Sequence, residues 1–197
     1  MTIPRLDAQD HSSDAYLERV VVGELKPHGA PITLAAYDPT WPNLFALEAA
    51  RIRKALGDRA LRIEHVGSTA VPGLAAKPII DILLVVADSA DEPSYVPALE
   101  AAGFVLRVRE PDWYEHRLFK GPAINLNLHV LSAGAAEIER VILFRDRLRA
   151  HPGERQLYEE TKRDLARRTW KHVQHYADAK SAVVEAIIAR ARAGDAT

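Results

Sequence analysis

The chain has no cysteine, which removes disulfides, thiolate metal sites and a cysteine nucleophile and leaves the redox compartment unread. It has almost no net charge, since 26 Lys and Arg stand against 27 Asp and Glu. No global field therefore draws nucleic acid or an anionic membrane, and any anion site must be local. No apolar run approaches the length of a membrane span, and the first residues lack a basic segment followed by an apolar one. The cytoplasm is the expected location, with no membrane partner. Sustained repeats, low-complexity tracts, heptad runs and an aromatic-basic strand motif of the RNA-recognition type are also missing, so nucleic acid is not an expected partner.

What is present is an ordinary globular composition, 48% hydrophobic and 27% charged over 197 residues, enough for one well-buried domain. Residues 1–31 are polar and irregular, with Leu17 to Leu25 as the apolar part. They are expected to form an N-terminal extension to a domain over 32–197.

The informative stretch is 63–86. Arg62–Val66 looks like a strand running into Gly67-Ser68-Thr69, where a glycine lets backbone N–H groups approach a ligand and two hydroxyls can donate to an anion. This is a phosphate-cradle type of turn. Pro72-Gly73 and Lys77-Pro78 break any long helix, and 79–86 is an aliphatic run of buried-strand length. Asp81 interrupts it. An unpaired buried carboxylate costs several kcal/mol, so Asp81 is expected to face a cleft, a cation or a metal.

The sequence H-V-G-S-T-A-V-P-G-L-A-A-K-P-I-I-D-I at 65–82 resembles the signature of the GrpB family, a nucleotidyltransferase-like group. Tyr37-Asp38-Pro39-Thr40-Trp41, Arg117-Leu118-Phe119-Lys120, Leu128-His129-Val130 and Phe144-Arg145-Asp146 with His151-Pro152 resemble further family blocks in the same order. The resemblance implies a fold related to the DNA polymerase beta superfamily, in which a Gly-Ser turn is followed by Asp-x-Asp/Glu on a strand. Gly67-Ser68 and Asp81 fit that pattern, but the second acidic position is Leu83, so the carboxylate pair that would hold two Mg²⁺ ions is incomplete.

Elsewhere the sequence alternates or repeats helically. His116, Leu118 and Lys120 share one face of a strand and Arg117 and Phe119 the other. Over 124–131, Asn125, Asn127 and His129 share a polar face that is a candidate wall of the Asp81 cleft. A short strand is expected at 32–36, a helix carrying Leu44, Leu47, Ile52 and Leu56, a short helix at 96–102, and three helices beyond Ala135. The expected fold is α/β (α+β): a mixed sheet of about five strands flanked by helices, nucleotidyltransferase-like, with a C-terminal helical lobe over 135–197 that closes on the cleft.

Two functional classes follow. In the first, a nucleotidyltransferase-like enzyme, Gly67, Ser68 and Thr69 hold phosphates together with Arg145 and Lys162. Asp81 holds Mg²⁺ with His129 or Asn127, and Lys77 or Arg117 neutralises developing charge. In the second, a non-catalytic nucleotide- or CoA-binding accessory module keeps the cradle without the metal pair. The ligand in either is a nucleotide or another phosphate-bearing small molecule. A zinc site from His65, His129 and Asp81 is allowed by ligand type but lacks short ligand spacing, and Ser68 lacks the G-x-S-x-G elbow of a serine nucleophile.

Overall fold

The computed structural model describes residues 13–25 and 31–194, and its centre is the apolar run that forms β2 (Ile80–Val86), buried throughout. A strand buried on both faces needs a neighbour along each edge and a layer over each face. β1 (Arg62–Val66) lies antiparallel on one edge, with Val66 opposite Asp81. β5 (Leu126–Ser132) lies parallel on the other, with Asp81 beside Asn127 and Leu83 beside His129. β4 (His116–Lys120) and β3 (Val105–Glu110) continue antiparallel. The order β1-β2-β5-β4-β3 is the expected mixed sheet of five strands. Residues 32–36 are not a strand: they make one bridge, Ala35 to Ala76, in a connection that Pro78, lacking an N–H, cannot extend as a ladder.

Alternation divides the sheet into two faces. Ile80, Ile82, Leu84, Leu126, Leu128 and Val130 pack on one side with Trp41, Ile52, Leu56, Tyr95, Leu99 and Phe119. That layer is α2 (Trp41–Leu56) and α3 (Val96–Ala101). Leu47, read as part of the buried stripe of α2, is instead 68% exposed.

The opposite face carries Asp81, Leu83 and Val85 beside Asn127, His129 and Leu131. Its apolar part is covered by Ile138, Val141 and Ile142 of α4 (Ala136–Ala150). α5 (Pro152–Ala166), α6 (Val173–Asp178) and α7 (Ser181–Ala193) complete the lobe, gathering Leu148, Tyr158, Val184, Ile187 and Ile188 around Val71 and Leu74. The third helix expected from sequence is broken into α6 and α7 at Ala179-Lys180. Of the extension expected over 1–31, the described part, 13–25, is packed. α1 (Asp14–Val20), capped by Ser13, buries Tyr16, Leu17 and Val20 beside Val108 of β3. Apart from Pro31, the rest of 1–31 lies outside the described residues. Among the described residues no helix is long and apolar enough to cross a membrane.

Candidate anion site

β1 ends at Val66, and the chain turns through Gly67 into a short 3₁₀ turn at Ser68–Ala70. Gly67 has φ +70°, and a Cβ there would collide with Asp81 Oδ2. Only glycine lets the turn pass this close to the strand carboxylate. Asp81 is 2% exposed, and its Oδ1 accepts from Asn127 Nδ2 at 2.8 Å. Burial by itself raises the Asp81 carboxyl, but the contacts from His129 and Asn127 outweigh it and hold the group below the usual carboxylate range.

Three lysines, Lys77, Lys120 and Lys180, feel the charge of this carboxylate, and a fourth, Lys162, lines the same cavity. Lys77 follows the cradle, Lys120 ends β4, Lys162 lies on α5 and Lys180 sits at the start of α7. Lys77, Lys162 and Lys180 line a cavity of about 20 Å³ with Ser68, Asp81 and Tyr176. Lys162 Nζ donates to Ser68 Oγ at 3.2 Å and to the Ala75 carbonyl, and lies 4.9 Å from the Tyr158 ring centre. Lys180 Nζ lies 4.8 Å from the Tyr176 ring centre. Lys120 Nζ donates to Asn127 Oδ1 at 2.5 Å. Burial pushes Lys162 down to about 7, with the Lys180 charge adding to it. Burial and then Lys77 lower Lys180 to about 8, partly offset by Asp81. Lys77 and Lys120 are lowered in the same way, with Asp81 pulling them back up. Among the described residues Asp81 is the one carboxylate lining the cavity, with Glu159 acting on Lys162 and Asp178 on Lys180 from outside the lining, and the three lysines of that lining suit a further anion.

Behind Asp81 a polar row crosses the sheet on the same face. His129 Nε2 stands 3.8 Å from Asp81 Oδ1, and His129 Nδ1 is 3.0 Å from His116 Nε2. His116 Nδ1 is 2.6 Å from Glu110 Oε2, whose Oε1 accepts from the Tyr16 hydroxyl at 3.0 Å. Burial lowers His129 to about 4, so the imidazole next to Asp81 is neutral at pH 7.

The expected Mg²⁺ does not fit these donors. The position that would carry a second carboxylate is Leu83, wholly buried among Val66, Val85, Leu131 and Ile138. The Asn127 amide is already used at both ends, by Lys120 and by Asp81. Mg²⁺ seeks several oxygen ligands in near-octahedral array. Here it would meet one carboxylate, an imidazole and a ring of ammonium groups. Among the described residues no group of three or more His, Asp or Glu could hold a metal ion.

The structure places Ser68, Thr69, Lys77, Asp81 and Lys162 around one cavity, with Gly67, Asn127 and His129 beside Asp81. It keeps four other candidates, Arg117, Arg145, Asn125 and His65, out of the cavity lining. Arg117 points to the opposite face of the sheet, because residues 117 and 118 alternate and Leu118 is the one aligned with His129. There Arg117 is held by Glu92 at 2.7 Å and by Glu115 at 3.2 Å. Arg145 is consumed by Glu64 Oε2 at 2.7 Å, by the His65 carbonyl at 3.0 Å and by both oxygens of Asp146. Thr69 does line the cavity, and its hydroxyl donates to the Ile79 carbonyl at 3.2 Å and meets His65 Nε2 at 3.1 Å, which fixes the turn. Asn125 precedes β5 and is exposed, so it is not part of the wall. His65 points to the other face of the sheet, stacked on Phe45 at 4.8 Å, which removes the zinc set with His129. Lys180, Lys120 and Tyr176 were missed. Lys120 shared the His116 face in the sequence pattern, but nothing in the sequence marks Lys180 apart from other helical lysines.

The family model described as GrpB protein matches residues 31–190. A UPF0157 protein of Halalkalibacterium halodurans is 62% identical over 181 residues, spanning 92% of this chain and 93% of that protein. The crystal structure of conserved protein GrpB from Enterococcus faecalis matches with a TM-score of 0.70 at 30% identity, covering 81% of this chain and 96% of that one. A dephospho-CoA kinase of Mycolicibacterium paratuberculosis is 32% identical over 177 residues, which span 77% of this chain but 44% of the kinase. The chain belongs to the GrpB family.

Proposed function

We infer that the protein binds a phosphate-bearing small molecule, a nucleotide or a CoA-type ligand, with its phosphate held by Ser68, Lys77, Lys162 and Lys180. The observation that carries this reading is the convergence of ammonium groups from the cradle, α5 and α7 on one cavity whose lining, among the described residues, holds a single carboxylate. Buried lysines are costly unless an anion meets them, and phosphate oxygens accept several N⁺–H donors at once. The cavity has room for a water-sized group. The lobe of α5 to α7 therefore opens to admit a phosphate, and Lys162 exchanges Ser68 Oγ for a phosphate oxygen.

Nucleotidyl transfer through paired Mg²⁺ finds one of its two carboxylates here, so the geometry favours a binding module over a two-metal transferase, with Mg²⁺ contributing little to affinity. The mycobacterial-type relatives named dephospho-CoA kinase carry the related segment in less than half of their length. That supports a CoA-type ligand or an accessory role for the segment.

Thermal melts with ATP, pyrophosphate and coenzyme A, each with Mg²⁺ and with EDTA, test the reading. A ligand that binds only the folded chain adds about 2.7 kcal/mol at a hundred times its Kd. At roughly 2–4 °C per kcal/mol the expected rise in Tm is about 5–10 °C. It should persist in EDTA and be lost in Lys180→Met. No rise with any phosphate ligand refutes phosphate binding, and a rise that vanishes in EDTA restores the metal.

A further inference from the structure

A second cavity of about 260 Å³ lies away from the cradle, between the β3–β4 turn, the start of α4 and the end of α7. Its walls include Asp112, Trp113, Tyr114, Glu137, Arg140 and Arg192. Arg140 is 5% exposed. Its Nη1 donates to Glu137 Oε1 at 2.7 Å, while Nε and Nη2 are buried with no hydrogen-bond partner among the described residues. Those two nitrogens share one edge of the guanidinium and their N–H bonds run parallel. This is the fork that grips both oxygens of a carboxylate or phosphate. A buried donor left unused in a native fold calls for an explanation.

The charges around the cavity point the same way. Asp112 is paired with Arg19 at 2.8 Å, and Glu137 with Arg140. Arg192 adds a further, exposed guanidinium to the wall. Arg19, outside the lining, neutralises Asp112 from behind, which among the described residues leaves Arg140 and Arg192 with Glu137 as their one carboxylate in the wall and one positive charge in excess. Trp113, 5% exposed, and Tyr114, 45% exposed, stand edge to face with ring centres 5.6 Å apart and give the cavity an aromatic side.

We propose that this cavity is a second ligand site, for a small monocarboxylate with a compact aromatic body. The carboxylate takes the free fork of Arg140 with Arg192 beside it, and the ring packs on Trp113 and Tyr114. A single unanswered charge matches a carboxylate better than a phosphate dianion, and the aromatic wall has no use for a bare inorganic ion. None of the six residues lines the cradle cavity, so the proposal stands independently of phosphate binding there.

Calorimetric titration of the full chain with phenylacetate, and separately with inorganic phosphate, tests it. Phenylacetate is expected to bind saturably, equally well with the cradle empty or filled with pyrophosphate, and in the filled state more tightly than phosphate. Arg192→Gln, at an exposed position, should weaken phenylacetate about tenfold, a loss of one decade in Kd. Arg140→Lys keeps the charge without the fork and should abolish saturable binding. Phenylacetate binding unchanged in both variants overturns the assignment. So does tighter binding of phosphate once the cradle is filled with pyrophosphate, or no heat from phenylacetate at about 10 mM, above the weakest specific range of about 1 mM. If Arg140→Lys fails to fold, Arg192→Gln alone decides.

Discussion

Asp81→Asn separates stability from ligand binding with opposite signs. Among the described residues the Asp81 carboxylate is the one anion lining the cavity of Lys77, Lys162 and Lys180, and it also raises the proton affinity of Lys120. Asparagine is nearly isosteric, so the apolar packing of β2 is preserved and the change is electrostatic. Removing one partner of a buried charge cluster costs about 3–5 kcal/mol, because the remaining charges stay buried. At roughly 2–4 °C per kcal/mol this lowers Tm by about 6–20 °C at pH 7. Urea denaturation at pH 7 and at pH 9.5 provides the assay. The loss should shrink at the higher pH, where Lys162 and Lys180, already lowered to about 7 and about 8, are neutral and need no counterion. The same variant should bind pyrophosphate more tightly than the native chain, since the carboxylate that repels it is gone. A stability loss independent of pH, or a weaker affinity for pyrophosphate, would refute the view that Asp81 is the internal counterion of an anion site.

Other outcomes follow from the same geometry. Gly67→Ala combines a left-handed φ of +70° with a collision at Asp81 Oδ2; a loss of about 1–3 kcal/mol from the backbone alone is expected in chemical denaturation, together with loss of the pyrophosphate-induced Tm rise. Arg117→Met, on the far face, should destabilise by breaking its pairs with Glu92 and Glu115, yet leave the Tm rise with pyrophosphate intact; its disappearance would return Arg117 to the site. For the native chain without ligand, Lys162 and Lys180 have folded pKa values below their unfolded ones, so the unfolded state binds more protons between about 7 and 10.5 and stability should climb with pH across that window. Phosphate affinity should fall over the same window as the ammonium groups lose their protons, and calorimetry in buffers of different ionisation heat should show proton uptake on binding at pH 8. At the acid end His65 and His129, both lowered to about 4 chiefly by burial, should cost stability as pH drops below 6.5.

The strand at 80–86, the glycine turn before it and the two alternating segments were all readable in the sequence, because a period of two residues fixes which side chains share a face whatever the strand's neighbours are. The same period puts Asn127 and His129 on one face and sets His116, Leu118 and Lys120 apart from Arg117. The polar face also required Asp81 to have a partner, which burial of an aliphatic strand makes obligatory. Strand order lay beyond this reasoning. Asn127 donates to Asp81 across 46 residues of sequence only because β5 inserts between β2 and β4, a choice made by long-range packing that leaves no mark on either segment. Charged residues on helices were ambiguous for a related reason: an arginine or lysine reads the same whether it meets water, an acidic neighbour or a cavity. Arg145 found Glu64 and Asp146, whereas Lys162 and Lys180 were carried by α5 and α7 into the space beside Ser68. Local patterns thus determined the strands, the turn and their faces, while the tertiary fold decided which cations share the carboxylate, since only three-dimensional closure brings together groups from the cradle and the helices that cover it.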